Sequence, residues 1–158
     1  MVLLALLLVP FIFGILSFFS GKASKNIALG ASILNLIIAA ALSLEVYQGA
    51  TIQFSIPWIS TLGTQLSLYA DGLATMLCLL TAVLYPILLL VNRKKDIEAS
   101  AAYYALILLS QVGLMGVFLA ADVMLFYFSW ELALVPIYFL CSKWGAEKRI
   151  PVTFYNTI

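Results

Sequence analysis

The sequence predicts an all-α integral membrane protein with five transmembrane helices, the beginning of a sixth, and a short β-hairpin between helices two and three. Two observations predict this fold. The chain of 158 residues is 65% hydrophobic and 9% charged, whereas soluble domains are about 25% charged. Its apolar residues also form runs of roughly 20, the length of a helix that crosses a bilayer. This composition excludes a soluble enzyme.

The predicted helices cover residues 2–20, 26–47, 72–92, 101–120 and 123–142, and residues 151–158 are predicted to begin a sixth. We expect residues 1–158 to form a single membrane domain. The first apolar run has no positive charge before it and is followed by Lys22 and Lys25. Signal peptides have the opposite pattern, so we predict an uncleaved helix. Asp71 and Asp122 precede the third and fifth helices and are predicted to cap them.

The connection between the second and third helices alternates apolar and polar residues over 51–56 and again over 65–69. This period of two predicts a pair of short strands. Pro57-Trp58 and residues 60–63 are the predicted turn between them. We expect the hairpin to lie on the membrane surface with Trp58 at the interface, where Trp is enriched.

Polar side chains inside the predicted spans have an ordinary role as hydrogen-bonding contacts between helices. We assign this role to Asn35 and Gln111, and the alternative for Gln111 is a position lining a wet path. Cys78 and Cys141 are interpreted as small core residues, because no ligand cluster accompanies them. The chain has no histidine, glycine-rich phosphate loop or dinucleotide fingerprint, so no metal, cofactor, nucleotide or nucleic acid is predicted to bind it.

All eight basic residues occur in the connections after the first, third and fifth helices. They are Lys22, Lys25, Arg93, Lys94, Lys95, Lys143, Lys148 and Arg149. Short loops rich in Lys and Arg stay on the cytoplasmic side of a membrane. The pattern predicts an inner-membrane protein with its N-terminus outward, the basic loops cytoplasmic and the hairpin on the outer side.

One acidic residue, Glu131, lies near the middle of the fifth predicted helix. A carboxylate at this depth costs about 3 kcal/mol or more, and such residues commonly mark proton or ion pathways. Pro136 removes the helical hydrogen bond of the Leu132 carbonyl, which predicts a bend and a wettable backbone group beside the acid. The competing interpretation is a structural Glu131 that bonds to a neighbouring helix.

Tyr127 lies one helical turn before Glu131, and Tyr138 lies two turns after it, so all three share one face of the helix. Two phenols and a carboxylate could hold a short chain of water, although aromatic stripes commonly serve packing. All Lys and Arg residues lie in predicted loops. A basic partner for Glu131 is therefore expected outside these residues.

The stretch from Phe126 to Tyr138, with Trp144-Gly145 after it, resembles the fifth-helix signature of the chain M (chain 4) family of NADH:quinone oxidoreductase, respiratory complex I. Residues 56–59 (Ile-Pro-Trp-Ile) and 68–73 (Leu-Tyr-Ala-Asp-Gly-Leu) resemble the loop that precedes the family's third helix. The similarity covers about residues 1–152 and does not extend to the end, so we expect an incomplete N-terminal fragment.

The resemblance implies a proton-translocating membrane-arm subunit with an antiporter-like fold. It implies that Glu131 pairs with a lysine on a later helix, and that redox-driven changes in their separation move a proton. It also implies that the hairpin contacts a neighbouring antiporter-like chain. FMN, iron–sulfur clusters, NADH and quinone would be handled by partner subunits, with no redox chemistry in this chain.

Two alternatives stay open at this point. A subunit of a multi-chain cation/proton antiporter would share the fold and the acidic helix. A non-catalytic membrane scaffold would use Glu131 only for bonding between helices.

Overall fold

A computed structural model describes residues 1–92, 94 and 97–145 of the chain. This part forms a bundle of five helices and one two-stranded hairpin. The helices are α1 Val2–Phe19, α2 Ser24–Tyr47, α3 Gly72–Asn92, α4 Ser100–Leu119 and α5 Val123–Trp144. Each of them is long and apolar enough to cross a membrane. The predicted fold class is confirmed, while the helix predicted over residues 151–158 lies outside the described residues.

Helix α4 is the centre of the bundle and packs against α1, α2, α3 and α5. Two clusters of buried side chains form the core, and both contain residues of α4. The first joins Leu6, Leu42, Cys78, Met115 and Leu119, and the second joins Ala28, Ala31, Leu89, Tyr104 and Leu108. Helix α5 contacts the bundle mainly through α4, so most of its own surface is exposed.

Two glycines of α4 lie in close contact with α5. A Cβ atom added to Gly113 would meet the Ala133 backbone, with the Cα atom 2.6 Å away. A Cβ added to Gly116 would meet the Ser129 side chain, with its Cβ 2.9 Å away. Small residues let helix backbones approach closely in a membrane. The glycines therefore fix which strip of α5 lies against α4.

Three helices contain a proline, and all three prolines are buried: Pro10 in α1, Pro86 in α3 and Pro136 in α5. A proline frees the carbonyl four residues earlier, on nearly the same side of the helix. In a bilayer that carbonyl needs a partner from the protein or from water. The inward position keeps it away from lipid, and α5 continues as a helix through Pro136 to Trp144.

The hairpin consists of antiparallel strands β1 Ile52–Ile59 and β2 Thr64–Ala70. The prediction that Pro57-Trp58 forms part of the turn is wrong, because both residues lie in β1. The register shifts between Pro57 and Ile59, and such a bulge tolerates a proline that cannot donate to the ladder. The turn is residues 60–63, where Gly63 has a φ of +65° that favours glycine.

The hairpin is attached to the junction between α4 and α5. Backbone N–H of Ala121 donates to the Ser67 carbonyl at 2.8 Å, and Leu68 forms an isolated bridge with Ala120. The ring of Trp58 lies 5.4 Å from that of Phe128 at the start of α5. These contacts bring the α2–α3 and α4–α5 connections to the same end of the bundle.

The opposite end is held by Trp144. Its indole N–H donates to the Glu98 carbonyl at 2.9 Å, in the connection between α3 and α4. Its ring also packs against Tyr103 at 5.3 Å, and Lys143 Nζ lies 5.0 Å from its centroid. The end of α5 therefore lies beside the α3–α4 connection, at the end of the bundle opposite the hairpin.

The two cysteines differ in environment. Cys78 is buried in α3, as predicted for a core residue. The same prediction is wrong for Cys141, which is exposed. The physical reason is that α5 buries only the narrow strip that faces α4.

We predict that Gly113→Ala lowers the thermal unfolding midpoint of the chain in detergent. The added methyl group meets the α5 backbone, and overpacking of this kind costs about 1–3 kcal/mol. Gly30→Ala in α2 is the matched control, since its added Cβ would meet no atom within 4 Å. Alanine is favoured in a helix by about 1 kcal/mol over glycine, so the control should be neutral or stabilising. Equal midpoints for both variants would contradict the close α4–α5 contact.

Candidate functional site

Helix α5 begins at a well-formed cap, as predicted. The Asp122 carboxylate accepts hydrogen bonds from the backbone N–H of Met124 at 2.9 Å and of Leu125 at 3.4 Å. These donors have no partner inside the helix, so the cap stabilises its first turn. Asp71 caps α3 in the same way, accepting from Ala74 N–H at 2.7 Å. The caps set the start of each span.

The buried strip of α5 consists of Ser129, Ala133 and Pro136. Glu131 follows Ser129 by two residues, and two residues correspond to about 200° of helical rotation. The carboxylate therefore lies on the side of α5 that faces away from α4, where it is exposed. The sequence-predicted site residue is thus on the outer surface of the five-helix bundle rather than inside it.

Tyr127 and Tyr138 lie on the same outer face as Glu131. Their side chains are 57% and 40% exposed, respectively. Their neighbours on this face are large apolar residues, among them Leu134 and Val135. The structure therefore places the two phenols and the carboxylate together on one face, and their use as a water path remains a prediction.

A counter-charge for Glu131 is not provided by α5 near its middle. Lys143 is the first basic residue after Glu131, and twelve residues at 1.5 Å each place it about 18 Å further along the axis. The other basic residues with described positions, Lys22, Lys25 and Lys94, lie at or beyond helix ends. Compensation at the depth of Glu131 must come from a group outside the described bundle.

The residues that orient the site are not evident from the sequence motifs. Gly113, Gly116 and Ser129 fix the rotation of α5, and Trp144 ties its end to the α3–α4 connection. Gly113 and Gly116 are three residues apart on one apolar helix, a spacing similar to that of small-residue packing motifs in membranes. This spacing could have predicted a close helix contact. Nothing in the sequence pointed to the carbonyl that Trp144 uses.

Among the described residues, no group of three or more His, Cys, Asp or Glu side chains comes together. What the geometry offers is one carboxylate at mid-span, aimed away from its own bundle.

The chain is similar in sequence to subunits of membrane-bound oxidoreductases. It is 36% identical over 156 residues to F(420)H(2) dehydrogenase subunit M of Methanosarcina mazei, covering 94% of this chain and 31% of that protein. It is 34% identical over 154 residues to NADH-quinone oxidoreductase subunit M of Escherichia coli K12, covering 89% of this chain and 30% of that protein. No protein-family model matches the chain. The chain thus spans about a third of the length of these curated relatives.

Solved structures show the same fold. A chain of respiratory complex I from Thermus thermophilus with bound NADH matches with a TM-score of 0.84 and 26% identity, covering 98% of this chain and 31% of that chain. A chain of the membrane-bound sulfane sulfur reductase, an archaeal respiratory membrane complex, matches with a TM-score of 0.74 and 25% identity, covering 87% of this chain and 22% of that chain.

The five apolar helices and the structural match define a multi-pass membrane protein with the fold of part of a complex I chain. Within that class, the sequence relatives are consistently subunit M or chain 4. The chain is similar to subunit M (chain 4) of NADH-quinone oxidoreductases and covers 32% of the length of one such relative and 27% of another. This confirms the resemblance seen in the motifs around Glu131 and Trp58.

We predict that Asp122→Ala lowers the stability of the chain by about 1 kcal/mol, because the first turn of α5 loses its acceptor. Asp122→Asn is the matched control, since its amide oxygen can accept the same bonds from Met124 and Leu125. The measurement is the thermal midpoint in detergent. An Asn variant as unstable as the Ala variant would show that the charge, and not the cap, is what matters.

Proposed function

We propose that this chain contributes to proton translocation in the membrane arm of a complex I-type oxidoreductase. The observation that supports this most directly is Glu131, a carboxylate near the middle of α5 on the face away from α4. Ionisable groups at this depth are costly unless compensated, and they commonly serve proton relays. The relatives' names add that subunits of this family work in NADH-quinone oxidoreductases.

The proposed mechanism requires a cation that approaches and leaves Glu131. The partner is a lysine on a helix outside these residues, held near the exposed face of α5. A carboxylate nearby raises the pKa of such a lysine, and its withdrawal lowers that pKa. A close pair at an effective dielectric of about 20 is worth roughly 4 kcal/mol, which corresponds to about three pKa units. Burial lowers the pKa of an uncompensated lysine toward the neutral range, so a change of this size can switch such a lysine between binding and releasing a proton.

Electron transfer is proposed to take place in partner subunits. The relatives include an F(420)H(2) dehydrogenase subunit as well as NADH-quinone oxidoreductase subunits, so the electron donor differs while the membrane subunit is shared. We therefore place flavin, iron–sulfur clusters, NADH and quinone in other chains of the complex. The hairpin, tied to the α4–α5 junction, is the proposed contact with a neighbouring antiporter-like subunit.

The relatives' names favour a redox complex over the alternative of a multi-chain cation/proton antiporter. The remaining alternative is a scaffold in which Glu131 only bonds between helices. The outward direction of Glu131 does not separate the scaffold from the relay, because either would need a partner outside the bundle. A functional measurement has to separate them.

We predict that Glu131→Gln in the complete complex strongly reduces proton pumping per electron transferred. The amide keeps the size and shape of the side chain and one acceptor oxygen but removes the charge that modulates the lysine. Proton uptake by membrane vesicles is measured together with the rate of electron-donor oxidation. Assembly of the complex is checked by native electrophoresis.

Glu45→Gln is the matched control, because Glu45 is also an exposed glutamate but lies in the last turn of α2. It should leave the pumping ratio unchanged. Full pumping by an assembled Glu131→Gln complex would exclude the relay and favour the scaffold.

We further propose that the protein lies in the inner membrane with its N-terminus outward. Contacts at the two ends of the bundle support a common side for the basic connections, since Trp144 joins the end of α5 to the α3–α4 connection. The loops rich in Lys and Arg should then be cytoplasmic.

The orientation can be tested with single cysteines in a chain whose own cysteines are changed to alanine. Leu62→Cys lies in the exposed hairpin turn, and Lys22→Cys lies in the exposed connection between α1 and α2. A membrane-impermeant maleimide should label the first from outside and the second only in inverted vesicles. Labelling of both from one side would refute the proposed topology.

A further inference from the structure

Two amide side chains are completely buried between α2 and α4. Asn35 in α2 and Gln111 in α4 are each 0% exposed. The Asn35 amide nitrogen lies 3.5 Å from the Met115 sulfur, which confirms one predicted contact between helices. The Asn35 Oδ1 atom and both polar atoms of Gln111 have no hydrogen-bond partner among the described residues. The predicted hydrogen bond from Gln111 to another helix is therefore absent from this part of the chain.

Gln111 faces the same stretch of α2 that contains Asn35. Tyr104, Gln111 and Met115 share one face of α4, because they are seven and four residues apart. Tyr104 packs in a cluster with Ala28 and Ala31 of α2, and Met115 contacts Asn35. Gln111 lies between these two contacts, so its amide points to the α2 residues from Ala31 to Asn35.

The surface of α2 opposite Gln111 is made of small side chains. Its buried residues include Ala28, Ala31, Ser32 and Ala39 in addition to Asn35. The Ser32 hydroxyl donates to the Leu29 carbonyl at 2.9 Å and so does not donate to Gln111. The alanines on this surface offer no side-chain donor or acceptor to the Gln111 amide.

Leaving these amide atoms without partners would be costly. A buried donor or acceptor without a hydrogen bond loses its interaction with water and receives nothing in return. The three atoms are two acceptors, Asn35 Oδ1 and Gln111 Oε1, and one donor group, Gln111 Nε2. One water molecule can donate to both acceptors and accept from the donor, and buried waters typically make about three such bonds.

We propose that an internal water molecule bridges Asn35 and Gln111 and holds α2 against α4. The site takes a small neutral molecule that both donates and accepts hydrogen bonds. It lies on the side of α4 that faces α2, whereas Glu131 lies on the far side of α5. The inference is therefore independent of the proposed proton relay.

The test uses the full chain in lipid nanodiscs with ¹⁵N-labelled glutamine side chains. The other three glutamines, Gln48, Gln53 and Gln65, are exposed. Replacing these three with asparagine leaves Gln111 as the only labelled side chain and does not touch the core. The spectra measure cross-peaks between the Gln111 amide protons and water. In the rotating frame, cross-peaks from dipolar contact have the opposite sign to those from proton exchange, so the two can be distinguished.

The expected result is a dipolar contact from Gln111 to a water molecule. The near-isosteric variant Asn35→Leu should remove or strongly weaken that contact, since the water loses one of its acceptors. The asparagines introduced at the three exposed positions carry no label and cannot contribute to the signal. A contact from Gln111 to the Asn35 side chain in place of water would overturn the proposal. A spectrum in which Gln111 contacts neither water nor Asn35 would also overturn it. If Asn35→Leu fails to fold, the spectrum of the unsubstituted site decides alone.

Discussion

The close approach of α4 and α5 at Gly113 and Gly116 determines what the rest of the molecule presents to its surroundings. Two glycines on one face of α4 let the α5 backbone come into contact, so α5 can be held by a single narrow strip. A helix held on one strip keeps most of its circumference free. The consequence is that Glu131 is directed outward, because it lies about 200° around α5 from Ser129.

An outward carboxylate at mid-span constrains what must surround this bundle. In lipid alone it would cost several kcal/mol, and neighbouring protein or water must therefore cover it. The ends of α5 are fixed independently of that cover, by the Asp122 cap on one side and by the Trp144 contact on the other. Contacts within this chain therefore set the depth of the carboxylate that a partner would meet.

The sequence was sufficient for features that depend on local chemistry. Apolar run length predicted the five spans, and Asp71 and Asp122 were recognised because a capping carboxylate acts only on the next few residues. It failed where the result depends on packing between elements. The sequence predicts Trp58 in a turn, whereas a bulge accommodates Pro57 and Trp58 inside the strand. The sequence predicts Cys141 in the core, whereas the rotation of α5 exposes it.

The candidate site shows the same division. The identity and depth of Glu131 follow from the sequence, whereas its direction follows from Gly113 and Gly116 on another helix. Gln111 and Asn35 provide the contrast, since these neutral amides can be buried inside the bundle with one small hydrogen-bonding molecule between them. Burial of a charged group in a low-dielectric interior costs far more free energy than burial of a neutral amide. The bundle therefore keeps its neutral polar groups within and directs its one mid-span charge to a surface where another chain segment can compensate it.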